Sequence, residues 1–375
     1  MTIEDVCRDE WERYEAPVLL YDIARIRANI SELAAACAGN PGHMLFAVKS
    51  FPAARILVMA YEIGMGFEVS AEQEYQMLPS DLSGRIVSLN SPFPLSSDQF
   101  LWAGNLLQNQ QNSLAEAKRY KASDRCHPGL RLNHQTLPID PTLICIQERP
   151  SRFGITWQSF LESAPLFREG VVSGVHLHNG SEQNSAGFYL AALRTILEAA
   201  AQFRIPLGYV NLGGGYHSIP QPELVQLLTE LHRIAGDVPL FIEPGHILCR
   251  DAGFLLCQVR SIRDLGGERY FVNLDASYDC HTRWSYPSWT NLANCAITKM
   301  PYQRIPDPEP GYILLILTGA TCHEKDQLGV FRMVRDGTTL PIKPNDPILL
   351  SNINGYSFAW NTGFNGVPKA KVRFF

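Results

Sequence analysis

Several side chains capable of chemistry each fall at the end of a short apolar run. In chain order they are Lys49, Glu68, Ser70, Asn90, Arg131, His176, His178 and Glu243. Lys49 closes the run HMLFAVKS (43–50). A lysine held among apolar neighbours loses its proton more easily and becomes a nucleophile towards carbonyl carbons. The competing reading is a lysine that snorkels to solvent or pairs with Glu68. Gly213, Gly214 and Gly215 follow the run GYVNL, and consecutive glycines after a strand let backbone N–H groups approach a phosphate. A flexible loop accounts equally well for that triplet. There is no G-x-G-x-x-G and no P-loop lysine, so neither a dinucleotide nor an ATP site is supported. Glu243, in FIEPG, can hold a proton on a heterocyclic nitrogen or cap a neighbouring helix.

The elements that must position these residues recur as a short strand followed by an amphipathic helix. Strands are expected over 43–50, 66–70, 85–90, 105–110, 128–133, 172–179, 208–214 and 239–245, with the polar NLLQNQ (105–110) the weakest. Helices are expected over 23–37, 53–63, 188–203 and 221–234, the last one opened by Pro220. Such alternation reads as a (β/α)8 barrel over 23–250, whose functional residues stand at the C-terminal ends of its strands. After Gly245 the texture turns to β-like runs broken by Pro, Gly and Asp. A second, β domain of sandwich or barrel-like form is therefore expected over 251–375, joined by residues 1–22 through the strand PVLLYD (17–22).

Composition narrows the function classes. Hydrophobic residues make up 46% and charged residues 18% of the 375 positions, a folded rather than a disordered balance. A net charge of −5 gives no reason to expect nucleic acid or an anionic membrane as partner. The acidic N-terminus lacks the basic and apolar regions of a signal peptide and no run is long enough to span a bilayer, so the expected location is cytoplasmic. The nine cysteines form no C-x-x-C pair, which argues against a disulfide framework and against a metal site.

Taken together, FAVKS around Lys49, EVSAEQE (68–74), SRFGI (151–155), HLHNGS (176–181), NLGGGY (211–216), EPG (243–245), TC (321–322) and GYSFAWNTGFNG (355–366) resemble the fold-type III, alanine racemase-like decarboxylases that depend on pyridoxal 5′-phosphate (PLP). That group holds the ornithine, diaminopimelate and arginine decarboxylases. The resemblance implies a PLP-binding barrel followed by a β domain, and removal of CO2 from an amino acid or amino acid-derived substrate. It implies that Lys49 carries the cofactor as a Schiff base, that His178 stacks on its ring, and that Glu243 pairs with the ring nitrogen. Ser181, Gly213, Gly214, Gly215, Gly245, His246 and Tyr356 are implied at the phosphate, Glu68 and Glu74 beside the lysine, and Arg131 near the cofactor's hydroxyl. Cys322 is implied to return a proton to the substrate from the second subunit of a homodimer. An amino acid racemase shares the barrel and the lysine but favours arginine at the ring nitrogen and a tyrosine opposite the lysine. A non-catalytic binding relative is the remaining alternative.

Three positions depart from the pattern. Glu-Pro-Gly is followed by His246 where the group has arginine, so the guanidinium fork is missing. His323 follows Cys322 where members using basic diamino acids carry an acid, and Tyr286-Pro287 replaces a Tyr-Asp pair. An ammonium buried without a carboxylate is costly. The substrate expected is therefore not a simple basic diamino acid but a larger, acylated or anionic amino acid, such as an intermediate of siderophore, polyamine or antibiotic synthesis. Tyr286, His323, Glu324 and Asp326 are the residues expected to meet its side chain.

Overall fold

The computed structural model describes residues 2–37, 39–40, 43–91, 103–106, 127–144, 150–180, 185–290, 295–298, 307–335 and 340–375, of which 103–106 and 295–298 are described as backbone only. The chain forms two compact units, one of residues 28–248 and one of residues 1–27 with 249–375.

In chain order the strand β1 (Val18–Tyr21) precedes eight strands of the first unit: β2 (Leu45–Ala47), β3 (Gly66–Val69), β4 (Val87–Leu89), β5 (Ala103–Leu106), β6 (His127–Leu132), β7 (Gly174–Leu177), β8 (Tyr209–Asn211) and β9 (Leu240–Phe241). They pair in sequence order and all in parallel. The seam from β9 back to β2 is closed by a parallel bridge between Met44 and Ile242 and by the Leu45 N–H donating to the Ile242 carbonyl at 2.8 Å. Sequence reading placed the fifth strand at 105–110; the strand lies at Ala103–Leu106, and 107–110 fall outside the described residues.

Helices cover the barrel because their apolar residues recur every three or four positions. Ala186–Phe203 buries Phe188, Tyr189, Ala192, Leu193, Ile196, Ala199 and Ala200. It starts where Ser185 accepts from the Phe188 N–H and stops where Arg204 turns left-handed at φ 52°. Gln221–Ala235 buries Leu224, Leu227, Leu228 and Leu231. On this helix His232 stacks on His43, the residue leading into β2, at 5.5 Å between ring centroids.

The second unit holds a nine-stranded sheet. Its members after β1 are β10 (Gly253–Asp264), β11 (Arg269–Leu274), β12 (Ser288–Trp289), β13 (Cys295–Thr298), β14 (Tyr312–Thr318), β15 (Gln327–Val334), β16 (Pro347–Ser351) and β17 (Lys371–Phe374). β10 is long enough to serve two halves. Its residues 253–258 pair with β1 and β16; from Val259 on, across a register shift between Val259 and Ser261, it pairs with β11. β1 lies between β10 and β17, so the 17–22 strand joins the C-terminal part as its sequence suggested.

The acidic N-terminal segment contributes a helix that the sequence reading does not expect. Ile3–Glu12 is a helix closed by a capping box between Thr2 and Asp5. Val6 packs with Val18, Leu20, Leu256 and Leu349, while Arg373 pairs with Asp9 and Glu10 from β17.

Asp326 departs from its expected role at the substrate. It is 4% exposed, and its carboxylate accepts from the backbone N–H of Tyr278 (2.7 Å), the N–H of Thr321 (3.0 Å) and the Thr321 hydroxyl (2.6 Å). With every donor internal, it clamps the 319–326 loop instead of meeting a ligand. Asp326→Ala leaves these donors buried without an acceptor. It is expected to lower stability by about 3 kcal/mol, as a loss of charged hydrogen bonds does, read as a lower urea midpoint of the circular-dichroism transition.

Candidate active site

The barrel register brings the reactive residues to one level. Ala47, Glu68 and Ser88 are successive cross-strand partners, as are Arg131, His176 and Asn211. Lys49 sits just beyond β2 in a short 3-10 turn, Val48–Ser50, with its side chain 40% exposed. Its ammonium pairs closely with the fully buried Glu68 and lies 3.5 Å from the Ser70 hydroxyl. Of the two sequence readings of Lys49, the structure shows the pairing with Glu68, at the end of β2.

A single network runs from this pair. Asn90 donates from Nδ2 to Glu68 Oε1 at 3.1 Å and to Glu243 Oε1 at 2.6 Å. Asn211 donates to the same Glu243 oxygen at 2.8 Å, and its own Oδ1 accepts from the Gly213 N–H at 2.9 Å. His176 Nε2 stands 3.4 Å from that oxygen. Every described polar contact of the Glu243 carboxylate at hydrogen-bonding range thus falls on Oε1, and Oε2 has no such partner among the described residues. Burial would raise the Glu243 pKa, but His176, Lys49 and the Asn90 amide outweigh it and hold the carboxyl well below the usual range. Glu243 is ionised at any ordinary pH, with one oxygen fixed and one available to an N–H donor.

His178 has a fixed tautomer. The Gly214 N–H donates to its Nδ1 at 3.1 Å, so its own proton lies on Nε2. Burial, and after it the charge of Arg131, hold the ring neutral, well below its ordinary pKa. Burial pushes Arg131 itself down to about 10 against the pull of Glu243 and Glu68. Its guanidinium lies 4.9 Å from the centre of the Phe153 ring, in the SRFGI segment, with Arg152 over the same ring at 4.2 Å. Glu74 accepts from the Ser70 N–H at 2.6 Å, and burial raises its pKa.

The glycine triplet works differently from the sequence expectation. Gly213 has φ +65°, and a Cβ there would meet the Leu177 carbonyl at 2.5 Å and His178 Nδ1 at 2.8 Å. A Cβ on Gly214 would meet the Glu243 carbonyl at 2.7 Å. The glycines are thus needed for close approach to His178 and Glu243. The N–H groups of Gly213 and Gly214 donate inside the protein, to Asn211 and His178, so as phosphate donors these two are corrected. The loop is also held from behind by the Tyr189 hydroxyl, which donates to the Gly214 carbonyl at 2.8 Å. Gly245 packs against Ser50, where a Cβ would come within 2.8 Å, and His246 follows it with its ring stacked on His217. Ser181 lies outside the described residues.

The remaining expected site residues belong to the second unit. Cys322 is exposed, and its N–H donates to Asn365 at 2.7 Å. His323 Nδ1 contacts Asp279 at 2.7 Å, Glu324 is exposed, and Tyr286 is 45% exposed. Tyr356 lies edge-on to Trp284. Sequence reading places Asn90 at a strand end without assigning it a role and does not single out Asn211. Their positions, closing β4 in LN and β8 in VNL, were the available signal.

No family model matches the chain. Among curated proteins it is similar to the carboxynorspermidine/carboxyspermidine decarboxylase of Campylobacter jejuni, at 24% identity over 365 residues, spanning 95% of this chain and 92% of the relative. It is also 24% identical over 338 residues to the diaminopimelate decarboxylase of Deinococcus radiodurans, spanning 82% and 86%. Among solved structures, the C. jejuni carboxynorspermidine decarboxylase complexed with norspermidine matches with a TM-score of 0.71 at 22% identity, over 96% of this chain and 94% of that one. An SrLDC mutant in complex with PLP matches at 0.72 and 18%, over 100% and 96%. At these identities the structures establish the fold, a barrel with a β domain. The relatives are decarboxylases along nearly the whole chain, in agreement with the resemblance read from the motifs.

Burial lowers the pKa of five barrel histidines, His43, His134, His176, His178 and His232, with His134 down to about 4. A ring neutral in the fold but free to protonate when unfolded stabilises above its unfolded pKa, and that stability is lost as pH falls. Folding stability is therefore expected to drop between pH 6.5 and about 4, by up to roughly 1.4 kcal/mol per pH unit for each such ring. Urea unfolding at stepped pH measures the slope, and His134→Gln should make it shallower.

Proposed function

We propose that this protein is a PLP-dependent decarboxylase acting on an amino acid-derived substrate of the polyamine type, larger than ornithine or lysine. The observation that carries the reading is the network from Lys49 through Glu68, Asn90, Glu243 and Asn211 to the glycine loop. It places an amine, a half-free carboxylate and a neutral imidazole at one end of one barrel.

PLP fits this arrangement. Lys49 is the amine that would hold it, Glu243 Oε2 is an open acceptor for its ring N–H, and His178 is the flat side chain beside the glycine loop. When bound, PLP supplies an electron sink for the pair left behind as CO2 departs. The protein's contribution is positional and electrostatic. Glu68 keeps the Lys49 ammonium at the mouth, and the two asparagines keep Glu243 ionised and aimed. His178, with its proton on Nε2, offers a face without added charge. Cys322, an exposed thiol in the second unit, is assigned the return of a proton to Cα across a homodimer, which the resemblance supports.

The substrate class rests on two supports. The relative from C. jejuni is named for carboxynorspermidine and carboxyspermidine. On this chain, the position after Cys322 is His323, which engages Asp279, while buried Asp326 accepts from Tyr278 and Thr321. These are the positions at which the chain departs from members that use short basic diamino acids.

Purified protein given PLP should show a near-ultraviolet or visible cofactor band, and borohydride should fix the label on the Lys49 peptide. Carboxynorspermidine should be decarboxylated with kcat/KM at least ~100-fold above free L-ornithine or L-lysine, a gap of about 2.7 kcal/mol. A micromolar KM for either free amino acid would sink the substrate assignment. Glu243→Gln should lower kcat by about 10²-fold or more, as loss of an aimed charge at the reacting centre does.

A further inference from the structure

The Glu-Pro-Gly segment of this chain lacks the arginine expected after it, and the structure shows what stands there instead. His246 is stacked on His217 with ring centroids 4.7 Å apart and planes within 4° of parallel. The two rings come from different strand-end loops of the barrel. His217 lies two residues beyond the glycine triplet, in the 3-10 turn Tyr216–Ser218, and His246 opens the turn His246–Cys249 directly after Gly245. These are the loops after the seventh and eighth barrel strands, where barrels of this kind bind phosphate groups.

We infer that His217 and His246 act together as the phosphate-recognising group of this site, in place of a single arginine. This rests on the proposal that the barrel binds PLP. Three observations lead to it. First, the N–H groups of Gly213 and Gly214 donate within the protein, so the triplet offers a phosphate fewer donors than its sequence suggests. Second, five arginines of the unit are engaged elsewhere: Arg85 on Tyr61, Arg131 and Arg152 on Phe153, Arg168 at the Phe203 carbonyl and Arg233 at Glu230. Third, each imidazole carries at least one ring N–H in either neutral tautomer. A stacked pair therefore brings two donors on rigid, flat side chains, the number that one guanidinium fork supplies. The stack fixes the two loops to each other, so either ring positions its neighbour as well as meeting the phosphate.

The comparison of PLP with pyridoxal, which lacks the phosphate, isolates this contribution. Dissociation constants are measured on cofactor-free full-length protein by following the cofactor absorbance change. His217→Ala and His246→Ala are each expected to weaken PLP binding by 10-fold or more while changing the pyridoxal constant less than twofold. The double variant should lose less than the product of the single effects, since the two rings serve one phosphate. His246→Arg in the His217→Ala background should restore PLP preference. Pyridoxal binding by each variant, with its circular dichroism, shows that the barrel remains folded. If His217→Ala leaves the preference for PLP over pyridoxal unchanged, the pair assignment is overturned, whatever His246→Ala does. If the unaltered chain binds neither compound, the cofactor reading falls and takes this inference with it. PLP binding with an unchanged preference in both variants overturns this inference alone.

Discussion

The buried carboxylate of Glu243 is the constraint around which the barrel mouth is arranged. An ionised carboxylate inside a protein is costly unless hydrogen bonds and opposite charge replace the water it loses. Here Asn90 and Asn211 supply amide hydrogens to one oxygen, while Lys49 and Arg131 supply opposite charge. Glu68, equally buried, repeats the arrangement with Lys49, Ser70 and Asn90. The two acids and the two cations, Lys49 and Arg131, offset one another, and Asn90 ties the acids into one unit. Removing any member would leave its partners buried and underpaired. The cluster is therefore as much a condition for closing this end of the barrel as a device for chemistry.

That cluster exists because strand register puts its members side by side. Successive barrel strands are offset so that Glu68 pairs with Ala47 and Ser88, and His176 with Arg131 and Asn211. In a parallel strand alternate side chains face the same way, so a one-residue slip would turn each of these groups out of the barrel. The glycines serve the same end. Gly213 and Gly214 have no side chain because His178 and Glu243 occupy the space that one would need. Tyr189, on the helix Ala186–Phe203, then pins the loop from outside. The outer helix layer thus acts on the inner site through one hydroxyl.

What the sequence made legible follows from how local each signal is. Alternating apolar runs and helical spacing gave the barrel strands, and the ends of those strands gave Lys49, Glu68, Arg131, His178 and Glu243, because strand ends are where a barrel presents its side chains. The fifth strand, Ala103–Leu106, was displaced in the reading because AGNL carries no β-branched residue and the neighbouring NLLQNQ is too polar to mark an edge. The helix Ile3–Glu12 was hidden by its acidic composition, although Ile3, Val6, Cys7 and Trp11 fall on one face. Asn90 was legible only as a strand end, and Asn211 and the partners of Asp326 were not legible. Their roles depend on contacts between residues distant in the chain, such as the 153 positions separating Asn90 from Glu243.

The same distinction explains why Asp326 was misjudged and His217 overlooked. Both lie in motif-bearing loops, and a loop's sequence says which groups are present but not which are already satisfied. Asp326 carries the charge expected of a residue that binds an amine, yet it is buried and accepts from three internal donors. His217 lies outside every motif, yet its ring meets His246 face to face across two loops. For a charged or polar side chain at a binding site, what remains unpaired after folding decides its use, and that remainder is a property of the tertiary structure. At Glu243 the remainder is one oxygen. An acceptor of that kind selects for a ligand that brings an N–H, which is a stricter demand than negative charge alone would make.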